Sequence, residues 1–321
     1  MNRILTTTGA VALFGRAGTR AIETRATGAL PEHTLMQRAG NAVARLALAL
    51  APHARRIRIA AGPGNNGGDG LEAAIVLRAH GKDASVELVG DPTRLPADAK
   101  AALARAREAG VAIDSPADGL DRLDLAIDAL LGIGGSRAPE GALAAAVRRL
   151  NALACPVLAI DVPSGLDVDT GQPFGADCVV AQHTLALLTL KPGLFTAAGR
   201  DHAGSVWLDR LEVDTGADQA PDAWLIGSAI TPRGARRHAT HKGSFGDVAV
   251  VGGVEGMSGA ALLAARAAHA AGAGRVYAVL LHDARGAAFD CDPVRPEVMF
   301  RSDWCENSSP ALLAQTTVVC G

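Results

Sequence analysis

Three stretches of the chain bring together residue types that can do chemistry. The first is Gly62-Pro63-Gly64-Asn65-Asn66-Gly67-Gly68-Asp69-Gly70. Its glycines permit tight turns and close backbone approach to a ligand. It follows a strand pattern and opens a helix pattern, so unpaired backbone N–H groups there suit a phosphate. Residues 62–67 also satisfy G-x-G-x-x-G, and Glu87 lies 20 residues beyond Gly67. On spacing alone this fits a dinucleotide-binding fingerprint. The two consecutive asparagines add side-chain amides able to ligate a cation or hydrogen-bond a ligand. The plainer reading is a glycine-rich turn with Asp69 capping the helix.

The second stretch is Asp128, ending the apolar run Leu125-Ala126-Ile127, with Gly132-Ile133-Gly134-Gly135-Ser136-Arg137-Ala138 beyond it. The third is Asp161, ending Val157-Leu158-Ala159-Ile160 and followed by Val162-Pro163-Ser164-Gly165. Carboxylates at the carboxyl ends of two strands lie where open parallel sheets place their sites. One such Asp alone reads equally well as a turn residue. The Asn66 amide, Asp128 carboxylate and Ser164 hydroxyl form an oxygen set suited to a hard cation. No His/Cys cluster offers zinc or iron an alternative. Neither a G-x-S-x-G elbow nor a phosphate loop ending in Gly-Lys-Ser/Thr occurs. Lys191, in Lys191-Pro192-Gly193-Leu194, reads as a phosphate-meeting point charge or as a solvated loop residue. His183 and His202 are weaker candidates for lining a site.

These residues need elements to hold them. Strand patterns fall at Ile57–Ala61, Val86–Val89, Leu125–Ile127, Val157–Ile160, Thr184–Thr189 and Val206–Leu208. Helical patterns fall between them at Leu35–Leu50, Asp69–Ala79, Ala99–Glu108 and Ala142–Leu150. Continuous apolar strands alternating with amphipathic helices predict a parallel sheet covered on both faces, with right-handed crossovers. The pattern loosens near Val213–Pro232, a linker signal. A second βα start follows: strand Asp247–Val251, loop Gly252–Gly259, helix Ala260–Ala271 and strand Arg275–Leu280. A last apolar strand, Thr316–Cys320, is expected to be buried, so this part reads as a fragment of a longer domain. The expected domains are 1–215 and 236–321, joined by a linker at 216–235.

Net charge is −2, from 31 basic and 33 acidic residues, which gives no case for non-specific nucleic-acid or membrane binding. Aromatics at 3% are too few for a base-stacking surface. Five cysteines without a C-x-x-C pair argue against a disulfide scaffold or zinc ribbon. No membrane span or signal peptide is read, so a cytoplasmic location is expected.

Taken in order, Asn65 to Gly70, Asp128 with its glycine loop, and Asp161-Val162-Pro163-Ser164-Gly165-Leu166-Asp167 resemble the NAD(P)H-hydrate epimerase domain, also called the YjeF N-terminal domain. Leu35-Met36-Gln37-Arg38-Ala39-Gly40 and Lys191-Pro192-Gly193-Leu194 fit the same pattern, and the match covers roughly residues 1–215. Residues 241–299, with Gly256-Met257-Ser258-Gly259-Ala260 and Arg295-Pro296-Glu297-Val298-Met299, resemble the start of an ADP-dependent NAD(P)H-hydrate dehydratase domain. The resemblance implies a Rossmann-like three-layer α/β/α fold with a mostly parallel sheet, followed by the start of a ribokinase-like α/β domain. It implies repair of hydrated NADH and NADPH by a multifunctional enzyme: epimerisation of the R and S hydrates, then ADP- or ATP-dependent dehydration of the S form. It implies a potassium ion on Asn66, Asp128 and Ser164. The substrate would be held by Asn65, Asn66, Gly67, Gly68, Asp69, Gly132, Ile133, Gly134, Gly135, Ser136, Arg137, Ala138 and Asp161, with Ala260 on the dehydratase side. It also implies a homo-oligomer acting on small molecules. The segment stops before the later phosphate loop of the dehydratase pattern, so that activity is expected to be incomplete here.

Asp161 is the expected general acid/base, because epimerising a hydroxyl-bearing ring carbon beside nitrogen needs proton transfer and no redox partner. The competing readings are an NAD-dependent oxidoreductase built on residues 62–67, or a non-catalytic nucleotide-binding module.

Overall fold

The computed structural model describes residues 2–4, 9–114, 123–215, 219–227, 239–254, 256–281 and 291–321. The chain packs as two units, Met1–Thr231 and Pro232–Gly321. The first begins with β1 (Asn2–Arg3), β2 (Val11–Leu13), α1 (Arg16–Ala29) and α2 (Thr34–Leu50). Next come β3 (Arg56–Ala61), α3 (Asn65–Ala79), β4 (Asp83–Leu88), α4 (Ala97–Glu108) and β5 (Ala112–Asp114). The unit continues through β6 (Leu125–Ala129), α5 (Gly141–Ala152), β7 (Val157–Ile160), β8 (His183–Leu187), α6 (Gly199–Ala203), β9 (Ser205–Asp209) and β10 (Ala223–Leu225).

Eight of these strands form one sheet in the order β1-β9-β8-β7-β6-β3-β4-β5. All pairings are parallel except β1 with β9. From β3 the chain works outward to β4 and β5. It then returns to the other side of β3 with β6 and works outward again. Right-handed crossovers in opposite directions place their helices on opposite faces. The side chains agree. Ile57, Ile59, Ile127 and Ile160 pack with α2, α3 and α4, whereas Ala60, Ala126 and Ala159 pack with α5. The result is three layers, with the order of strands reversing between β3 and β6.

The helix pair α2/α3 packs through glycine. A Cβ on Gly40 would lie 2.2 Å from Glu72 Cβ and 2.8 Å from the Ala73 nitrogen. Both are parts of a helix that cannot move independently, so Gly40→Ala is expected to cost about 1–3 kcal/mol in a urea unfolding measurement.

Two elements differ from expectation. Helix α3 starts at Asn65, capped by Gly64, rather than at Asp69, so Asp69 is inside the helix and is not its cap. Part of the expected linker instead supplies β10, which pairs antiparallel with β2. Its backbone groups find partners there that a solvated tether would not need.

The second unit holds β11 (Asp247–Gly252), α7 (Gly259–Ala270), β12 (Arg275–Leu280), β13 (Met299–Phe300), α8 (Trp304–Asn307), α9 (Pro310–Gln315) and β14 (Thr316–Cys320). Its sheet order is β13-β12-β11-β14, all parallel. Arg275 grips the buried Asp247 carboxylate with two donors, and Arg266 does the same to Asp292. Strand β14 was expected to be buried but is exposed, Val318 at 46% and Val319 at 43%. It pairs only with β11, at the sheet edge.

Candidate functional site

A cavity of about 760 Å³ opens at the carboxyl ends of the first unit's strands, where the strand order reverses. This is the position the parallel-sheet rule assigns to ligands. Its walls come from α1, the start of α3, the loop after β6, and the ends of β7 and β8.

Asp161 stands just past β7 with φ 69°, a left-handed backbone that a non-glycine residue adopts only under constraint. The constraints are visible. Its N–H donates to the Leu185 carbonyl at 2.8 Å. The Ile133 N–H donates to Oδ2 at 3.2 Å, and Lys191 Nζ donates to Oδ1. Lys191 Nζ also donates to the Leu187 carbonyl at 2.7 Å. Lys191 is 0% exposed, so it is neither a solvated loop lysine nor a phosphate contact. A buried ammonium needs an anionic partner, and Asp161 is that partner.

Asp128 lies deeper. Its Oδ1 accepts from the Ser164 hydroxyl at 2.6 Å and the Leu130 N–H at 3.1 Å, and its Oδ2 accepts from the Ser164 N–H at 2.8 Å. Ser164 Oγ in turn accepts from the Leu131 N–H at 2.8 Å. Asp128 thus ties the loop after β6 to the loop after β7. Burial pushes its carboxyl up to about 6, with the Ser164 and Leu130 hydrogen bonds pulling the other way.

Asn66 meets Asp161 at Gly132. A Cβ on Gly132 would sit 3.2 Å from Asn66 Oδ1 and 3.3 Å from Asp161 Oδ2. Only glycine leaves that corner open. The Asn66 amide nitrogen is buried and has no hydrogen-bond partner.

Of the expected ligand residues, Asn65, Asn66, Asp69, Gly132, Ile133, Gly134, Gly135 and Asp161 line this cavity. Gly67 and Gly68 do not. A Cβ on Gly67 would lie 2.1 Å from the Gly62 carbonyl, and one on Gly68 would lie 2.6 Å from Met36 Sδ. They let α3 approach its neighbours. Ser136, Arg137 and Ala138 fall beyond the lining, the first two exposed. Asp128 and Ser164 sit beneath the floor, and Ala260 belongs to the second unit's α7. Neither His183 nor His202 lines the cavity; His202 Nδ1 bonds the Val179 carbonyl. Glu87, the acid of the dinucleotide fingerprint, is buried and ion-paired with Arg149 of α5.

Sequence reasoning missed α1, which brings Arg20 and Glu23 to the cavity, and missed the His33–Asp98 pair, Nδ1 to Oδ1 at 2.6 Å, on its other wall. Burial raises the Glu23 carboxyl, as does Asp161, while Lys191 and Arg20 lower it. Asp69 is held well above the usual carboxylate range by burial, then by Asp161 and Glu23. The cavity therefore combines one lysine-paired carboxylate with carboxyls biased toward their proton-bearing form. That is equipment for proton transfer.

The family described as YjeF-related protein N-terminus matches residues 32–193. The bifunctional NAD(P)H-hydrate repair enzyme Nnr of Vibrio cholerae is 38% identical over 291 residues, 85% of this chain and 58% of the relative. The NAD(P)H-hydrate epimerase of Limosilactobacillus fermentum is 37% identical over 177 residues, 55% of this chain and 85% of the relative. The crystal structure of the yeast protein ynu0 superposes with a TM-score of 0.55 at 20% identity, covering 67% of this chain and 99% of the yeast chain. The chain spans little more than half the length of the Vibrio relative.

Proposed function

Because the chain belongs to the family described as YjeF-related protein N-terminus, we propose that its first unit interconverts the R and S hydrates of NADH and NADPH. The observation that carries this reading is Asp161: left-handed at a strand end, held by Lys191 and the Ile133 N–H, and facing the cavity beside Asn66.

In the hydrate, a ring carbon beside nitrogen bears a hydroxyl. The nitrogen lone pair can form a C=N bond while the C–O bond breaks. The leaving hydroxyl takes a proton from an acid and departs as water, leaving a planar iminium ion. Water then adds to either face and returns one proton to the protein. Asp161 is the group we assign to relay that proton, which the raised Asp69 and Glu23 carboxyls of the same cavity can supply and take back, and its carboxylate stabilises the cation between the two steps. Asn65 and Asn66, in the first turn of α3, orient the substrate.

Asp128 and Ser164 beneath the floor, with Asn66 in the lining, fit a potassium ion. Asp128 is a fully buried carboxylate with no cationic partner among the described residues, and Asn66 brings its side-chain oxygen to the Gly132 corner of the loop after β6. Together with the Ser164 hydroxyl they make an all-oxygen donor set. Bound there, potassium would neutralise Asp128 and fix the two loops. A consequence is measurable. Burial raises the Asp128 carboxyl to about 6 from an unfolded value of 3.8. The protonated form thus contributes stability that is complete below about pH 4 and lost as pH rises through about 6, on the order of 3 kcal/mol. Potassium held by Asp128, Asn66 and Ser164 would take the place of that proton. It is expected to raise the melting temperature at about pH 7 and to do little at about pH 4, relative to tetramethylammonium at equal ionic strength.

The oxidoreductase reading needs Glu87 at the ribose, and the Glu87 carboxylate is ion-paired with Arg149. For the second unit we propose the start of the ADP- or ATP-dependent dehydratase, with Ala260 on its substrate side.

The test is direct. The full chain is incubated with one resolved hydrate, and the R/S ratio is followed by chromatography. Approach to a mixture from either side is expected. An unchanged ratio with bound hydrate would leave only the binding module, and oxidation or reduction of the ring would restore the oxidoreductase.

A further inference from the structure

Of the three arginines of helix α1, Arg16 and Arg20 lie one turn apart on the same face. Arg16 is fully engaged. Its Nη1 donates to the Gly135 carbonyl, and its other nitrogens lie 3.9 Å from Asp167 and Asp169. Arg20 lines the cavity and makes no hydrogen bond or ion pair with any described residue. Its Nη2 lies 3.9 Å from where a Cβ on Gly134 would be. The loop beneath it has open donors too. The Ile133 N–H goes to Asp161 and the Gly135 N–H to the Gly132 carbonyl. The Gly132 and Gly134 N–H groups have no partner among the described residues. A guanidinium that makes no hydrogen bond among the described residues, with the Glu23 carboxyl as its electrostatic neighbour, over unpaired backbone amides in a loop whose glycines let a ligand come close, is a phosphate-reading arrangement.

We infer that Arg20 is the specificity-determining residue that reads the diphosphate of the dinucleotide substrate. The inference rests on the epimerase reading and adds which phosphate is read. Gly132 abuts Asp161, where the ring must react, and Gly134 is two residues on, at most about 7 Å away. Only one ribose separates the nicotinamide ring from the diphosphate. The 2′-phosphate that distinguishes NADPH sits on the far nucleotide. Arg20 therefore discriminates dinucleotide from phosphate-free analogue and treats NADH and NADPH hydrates alike.

The experiment compares wild type, Arg20→Gln and Arg20→Lys on hydrates of NADH, NADPH and reduced nicotinamide riboside. Arg20→Gln is expected to raise KM for both dinucleotide hydrates by about 10- to 100-fold, the scale of a lost charge-assisted hydrogen-bond pair. Its KM loses most of its salt dependence, and its kcat/KM falls far less for the riboside hydrate than for the dinucleotide hydrates. Arg20→Lys recovers part of the loss. Equal losses on the riboside hydrate would assign Arg20 a structural role in α1. A loss confined to NADPH hydrate would make it a 2′-phosphate reader, and no loss would remove it from the site; each overturns the inference. Calorimetric binding of unhydrated NADH separates this from the broader reading. If wild type epimerises nothing yet binds NADH and Arg20→Gln does not, the epimerase reading fails and the phosphate contact stands.

Discussion

Asp161→Asn is expected to cut kcat for hydrate interconversion by roughly 10²- to 10⁴-fold, the range associated with loss of a positioned proton-transfer group. The amide keeps the shape of the carboxylate, and its one oxygen can still accept from Lys191 Nζ, while its NH2 replaces the oxygen that accepts from the Ile133 N–H. It cannot carry the proton, and it places no negative charge beside the iminium ion. KM should move far less than kcat, because the phosphate contact proposed for Arg20 lies elsewhere on the cavity wall. The variant loses the counter-charge of Lys191, so its melting temperature should be recorded alongside, with rates measured well below it. A variant that stays folded, binds hydrate and epimerises at the parental rate would remove Asp161 from the chemistry.

Lys191→Met is expected to destabilise the first unit by about 3 kcal/mol, the lower end of the cost of breaking a buried ion pair. The lower end applies because Asp161 faces the cavity and can recruit water, whereas Lys191 is completely enclosed. Urea unfolding should show a lower midpoint with an unchanged slope. Combining Lys191→Met with Asp161→Asn should cost less than the two single changes added together, because each then removes the charge the other stranded. A loss under about 1 kcal/mol would reduce the pair to the level of a surface salt bridge.

The parallel sheet was readable because its strands are buried on both faces and therefore continuously apolar. Ile57–Ala61 and Leu125–Ala129 show it best. The loops after β3, β6 and β7 were readable only together: each alone reads as a turn, but three of them at apolar strand ends point to one site. Helix α1 was not. Gly18, Thr19, Thr24, Thr27 and Gly28 are weak helix formers, and its start is stabilised from far along the chain. The Gly15 N–H donates to Asp222 Oδ2 at 2.7 Å and the Arg16 N–H to Asp169 Oδ1 at 2.8 Å. No local window contains those caps. Lys191 was misplaced for a similar reason. A lysine before Pro-Gly reads as solvated, and its ion-pair partner lies 30 positions earlier, in a different loop. The start of α3 was set four residues late because Asn-Asn-Gly-Gly is a poor helical turn by propensity. Close packing of Gly67 on the Gly62 carbonyl and of Gly68 on Met36 supplies what propensity lacks.

The carboxylates that hold the start of α1 also order events at the ribosome. This helix is translated before its caps, since Asp169 and Asp222 emerge more than 150 residues after it. Nascent chains stalled before Asp222 should keep α1 open to protease while the β3–β7 core already resists cleavage, because contacts distant in sequence close last.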